Sequence, residues 1–63
     1  MLAGEIVYLA WNRGYVRYRI HKVFDDSILA LTYRTEVFNW IPIEDVISTE
    51  DFAKIYNNEK IYE

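Results

Sequence analysis

Cysteine is absent from this chain, which excludes a disulfide framework and any thiolate metal site. Histidine occurs once, at His21, so a structural zinc site built on several imidazoles is also excluded. Glycine occurs only at Gly4 and Gly14, and proline only at Pro42. There is no linker, repeat or low-complexity tract. No apolar run approaches the about 18 residues that a membrane-spanning helix needs. The opening MLAGEIVYLA has no basic n-region and is interrupted by Gly4 and Glu5, so it does not read as a signal peptide. A cationic surplus is missing too. The net charge is −3, which argues against nucleic-acid binding driven by bulk charge. These absences predict a cytoplasmic protein without cofactor, metal or membrane partner.

Length is the next limit. With 63 residues the chain holds one domain at most, residues 1–63. A chain this short buries only about 60% of its unfolded surface, so its stability is marginal. Aromatic residues, at 17%, are what it has in abundance. Large rings bury much area per residue, which explains part of that excess. Charge is unevenly spread. Residues 1–34 carry five cations against three acids, and residues 35–63 carry two against seven. That asymmetry predicts either two faces with different partners or pairing between the halves.

Strand signals dominate. Glu5 to Trp11 is rich in β-formers, and Asn12-Arg13-Gly14 is a turn signal, with Gly14 as the residue suited to positive φ. Tyr15 to Phe24 alternates: Val16, Tyr18 and Ile20 share one face, while Tyr15, Arg17, Arg19 and His21 share the other. Asp25-Asp26-Ser27 is a second turn. Ile28 to Tyr33 is a third strand, apolar on both faces except at Thr32. A longer connection at Arg34-Thr35-Glu36 leads to a fourth strand, Val37 to Ile41, with Pro42 at its end. Ile43-Glu44-Asp45 reads as a 3₁₀ turn, and Val46-Ile47 as a fifth strand.

Ser48-Thr49-Glu50-Asp51 is a helix-start signature, a hydroxyl followed by acids that complement the helix dipole. It predicts a helix from about 49 to 57. Phe52, Ile55 and Tyr56 form one apolar stripe on it, and Asn57-Asn58 is a stop. Residues 58–63 make a tail, where Ile61 and Tyr62 either add a last strand-like contact or fray.

GEIVYLAW followed by GYVRYRIHKVFDD resembles the opening of a Tudor-type domain. WIPIEDVI is similar to the closing segment of SH3-like barrels, with an aromatic, a proline, a 3₁₀ turn and a valine. The resemblance covers about residues 4–47, and the barrel it implies about residues 4–48. It implies a small SH3-like five-stranded antiparallel barrel with a short C-terminal helix. Tudor domains that read methylated side chains carry an Asp-Tyr-Gly-Asn-like stretch between strands three and four. This chain has Thr32-Tyr33-Arg34-Thr35-Glu36 there, which keeps the tyrosine and lacks the acid and the amide. Such barrels host peptide, methylated-residue, RNA and DNA binders, so the fold alone assigns no ligand.

Four site readings compete. Trp11 and Tyr15 flank the first turn, and Tyr33 and Phe38 flank the third, which would suit an aromatic cage or peptide groove. Arg17, Arg19 and His21 beside Tyr15 would suit phosphate contacts with stacking, or be a solvated face. Glu44-Asp45 and Glu50-Asp51 would mimic phosphate charge, or merely cap a helix. Catalysis has little support: there is no phosphate loop, and Ser27 and Ser48 lie in a turn and a cap. The expected core draws on Ile6 or Val7, Tyr8, Val16, Tyr18, Ile20, Leu29, Leu31, Trp40, Ile41, Val46 and Phe52.

The expectation is a non-enzymatic module that docks on a partner protein or peptide, as a regulator or inhibitor. Its partner-binding residues would be Trp11, Tyr15, Arg17, Arg19, Tyr33 and Phe38, since aromatics and arginine dominate interface hot spots. A phage or mobile-element accessory protein fits that size. Nucleic-acid binding through Arg17 and Arg19, and a structural homodimer, are the alternatives.

Overall fold

A computed structural model describes residues 1–55 and Ile61. Five strands form one antiparallel sheet: β1 (Ile6–Trp11), β2 (Gly14–Val23), β3 (Ser27–Thr32), β4 (Phe38–Pro42) and β5 (Ile47–Ser48). A 3₁₀ turn spans Ile43–Asp45, and a helix, α1, spans Thr49–Ile55. The strand order is β4-β3-β2-β1-β5. β1 to β4 run as a meander, and β5 returns to the far side of β1. The sheet is open: β4 and β5 are its two edges and do not pair with each other among the described residues. β5 has two residues, Ile47 and Ser48, which pair with Tyr8 and Val7.

The first hairpin corrects the expectation for Gly14. The loop has two residues, Asn12 and Arg13, with φ of 48° and 65°. Both positive values match the mirror-image turn that follows strand twist. Gly14 is already in β2, opposite Trp11. Arg13 thus holds a left-handed conformation without being glycine, at a cost of about 1 kcal/mol.

β2 carries a bulge. Ile20 faces Ala30, but Lys22 faces Leu29, so His21 is an extra residue. A bulge of this kind shifts the alternation by one. Lys22, which strict alternation would put beside Ile20, is turned to the opposite face.

One face of the sheet holds the main core: Val7, Tyr18, Ile20, Ile28, Ala30 and Ile41. Leu9, Val16, Ile43 and Val46 pack against it. Several core expectations are corrected here. β3 is apolar on both faces, so its sequence leaves the inward parity open. Pairing of Ile28 with both Val23 and Ile41 turns Ile28 and Ala30 inward. Leu29 and Leu31 are therefore half-buried on the outer face. Trp40, opposite Leu29, goes with them and is 65% exposed. Of the pair Ile6 and Val7, it is Val7 that is buried.

Tyr8 and Phe52 are buried, but in a second cluster on the outer face. Their rings stack at 3.8 Å with 8° between planes. Tyr15 meets Phe52 edge-on at 4.9 Å. α1 is seven residues long, too short to be stable alone. Three contacts hold it. Phe52 packs on the sheet, the Asp51 amide donates to Ser48 Oγ at 3.0 Å, and Thr49 Oγ1 donates to the Ile6 carbonyl at 2.6 Å. The predicted stripe is only partly used: Phe52 is buried, Ile55 is exposed. Tyr56, the Asn57-Asn58 stop and Tyr62 lie outside the described residues. Ile61 makes a parallel bridge to Tyr15.

Loop β3–β4 is closed by Thr32. Its amide donates to the Val37 carbonyl at 3.0 Å, its carbonyl accepts from the Glu36 amide at 2.9 Å, and its Oγ1 accepts from the Val37 amide at 2.9 Å. The Thr32 and Thr35 hydroxyls also bond to each other. The Ile43 amide donates to the Asp26 carbonyl at 3.0 Å. Those two ends set the hydrogen-bond phase of the pair: Asn39 and Ile41 turn their peptide groups to β3. Pro42 thus falls where its missing N–H faces the free edge, which is where a strand tolerates proline.

Candidate functional site

The outer face of the sheet divides in two. On the β1 side it is covered by α1, over Tyr8 and Tyr15. On the β3–β4 side nothing covers it among the described residues. Register defines two rows across that bare half. Arg19 faces Leu31, which faces Phe38. Lys22 faces Leu29, which faces Trp40. Each row is a cation, a leucine and a ring. The bulge at His21 makes the second row, because it brings Lys22 onto this face.

Rings on this half touch one another. Phe24 lies 5.2 Å from Trp40, and His21 meets Phe38 edge-on at 5.2 Å. Phe38 is 53% exposed, and Phe24 is also open to solvent. Scattered single apolar residues on a surface are normal, whereas contiguous ones mark interaction sites. No acid lies in any of the five strands. Glu5 precedes β1, and Asp25, Asp26, Glu36, Glu44, Asp45, Glu50 and Asp51 are all in connecting segments, the 3₁₀ turn or α1. Arg19 and Lys22 pair with no acid among the described residues, whereas Lys54 and Glu50 pair within α1 at 3.9 Å. Among the described residues, pairing between the basic and acidic halves is therefore not made by these two cations.

The six expected site residues do not gather in one place. Tyr15 is half-buried against Phe52. Arg17 lays its guanidinium over the Tyr33 ring, 4.2 Å from the centroid. The Tyr33 amide donates to the Arg17 carbonyl at 2.9 Å, which brings the ring beside β2. Arg17 Nε is buried with no hydrogen-bond partner among the described residues. This arginine is committed inside the molecule, through a contact worth about 0.5–2 kcal/mol. Trp11 is exposed at the hairpin tip, beside an open hollow of about 380 Å³ lined by residues 10–15 of that one hairpin. Arg19 and Phe38 share the bare face, and the Arg17–Tyr33 pair lies beside them on the same side of the sheet, with Tyr33 exposed.

Sequence reasoning missed Trp40, Phe24, Leu29, Leu31 and Lys22 as members of this surface. A signal existed for Lys22: a lysine at an inward position of a strand that otherwise alternates strictly points to a bulge. Among the described residues no group of three or more histidines and acids could hold a metal ion. No helix among them is long and apolar enough to cross a membrane. No protein-family model, curated protein or solved structure matches this chain.

Proposed function

We propose that this protein is a small non-enzymatic binding domain that docks on a partner protein or peptide through the bare outer face of β2–β4, as a regulator or inhibitor. The observation that carries this is the contiguous exposed group of Phe24, Phe38 and Trp40 beside Arg19 on the sheet. Tryptophan and arginine in one apolar patch have the composition of interface hot spots. The meander of four strands, the 3₁₀ turn and the return of β5 to β1 support an SH3-like, Tudor-type reading, with the sheet left open. A cytoplasmic site of action goes with a chain that has no cysteine.

The test is a photo-crosslinking amino acid in place of Phe38, in cells that make the protein. A discrete protein adduct, lost when Trp40→Ser is added, is the expected result. An adduct with nucleic acid alone, or with a second copy alone, would overturn the reading in favour of one of its two rivals.

A further inference from the structure

The two rows specify more than a sticky surface. Same-face residues along a strand are about 6.6–6.8 Å apart, and neighbouring strands about 4.8 Å. The cations Arg19 and Lys22 therefore form one rail on β2, and the rings Phe38 and Trp40 form a parallel rail on β4. Leu29 and Leu31 make the floor between them. An extended peptide lying along β3 throws alternate side chains to opposite sides, with the same spacing of about 6.6–6.8 Å. Carboxylates at every second position would reach the Arg19–Lys22 rail. Apolar side chains at the positions between would lie against Phe38 and Trp40.

We propose that the outer face takes an extended segment of a partner protein in which acidic and apolar residues alternate. This rests on the docking reading above and names its occupant. Charge complementarity carries it: among the described residues the face has unpaired cations and no acid, although the chain as a whole is −3. The surroundings limit the length of that anion. Asp25 and Asp26 stand in the turn at one end of β3, and Glu36 stands with Arg34 in the loop at the other. A polyanion running past the face meets these acids, whereas a segment of a few residues ends before them.

The test uses the whole chain, labelled for amide NMR, and three probes. They are an octapeptide alternating Glu and Val, its counterpart with Lys for Glu, and a decathymidylate. The acidic octapeptide is expected to shift the amides of Arg19, Lys22 and Leu31 and the Trp40 indole N–H. The lysine peptide is expected not to. In the double variant Arg19→Glu with Lys22→Glu the preference between peptides should invert, by tenfold or more on each. Both side chains are exposed, and unchanged core amides report that the variant is folded. Equal response to both peptides at this face would overturn the acidic occupant and leave the docking reading standing. Response to the decathymidylate alone would overturn both in favour of nucleic acid, and should fall steeply with salt. Silence with all three probes to millimolar concentration would also overturn the acidic occupant. The crosslinking result alone would then decide the docking reading.

Discussion

The two halves of the outer face are built from similar residues and have opposite fates. Tyr8, Tyr15 and Phe52 on one side are stacked beneath α1. Phe24, Phe38 and Trp40 on the other are open to solvent. Ring content alone therefore does not distinguish a core from an exposed face. What distinguishes them is the position of a cover. α1 follows β5 directly, and β5 is fixed to β1, so the helix reaches only the β1 side. The β3–β4 side is the far end of the same sheet.

That contrast can be broken most sharply from the covered side. Phe52→Ala removes the ring between α1 and Tyr8 and should cost about 3–5 kcal/mol, enough to unfold much of so small a domain. Urea denaturation followed by tyrosine and tryptophan fluorescence measures it. A loss below about 1 kcal/mol would mean that α1 is not a structural cover. Ser48→Ala removes the hydroxyl that accepts from the Asp51 amide and should cost about 1 kcal/mol, read as a lower denaturation midpoint at unchanged slope. Arg13→Gly lies outside both halves. Glycine adopts the positive φ of that hairpin position without the left-handed penalty, so a gain of about 0.5–1 kcal/mol is expected in thermal unfolding. The smallest effect belongs to the bare side. Trp40→Ser should change stability by no more than about 0.5 kcal/mol, because a ring 65% exposed contributes little to folding. A loss of about 3 kcal/mol or more, as for a core ring, would show that Trp40 is a core residue after all.

Legibility followed local chemistry. The 3₁₀ turn at Ile43–Asp45, the Ser48 cap and the alternation of β2 before its bulge are each set by a few neighbouring residues, and each was readable. β3 was not, because Ile28 to Leu31 is apolar on both faces and carries no parity of its own. The error then propagated to Trp40, whose side is fixed by its pairing with Leu29. The surroundings of Arg17 were illegible for another reason. Its alternation put it on the outer face, where it is, but not over Tyr33, which is sixteen positions away in sequence.

By itself the sequence determined a small, mostly β chain with a capped helix, basic strands and acidic connections, because propensity, turn chemistry and charge are local properties. Tertiary structure decided which apolar face became the core and which ring cluster α1 covers. It also decided where Lys22 points. Those outcomes depend on strand register and on one bulge, which arise only when distant segments pair.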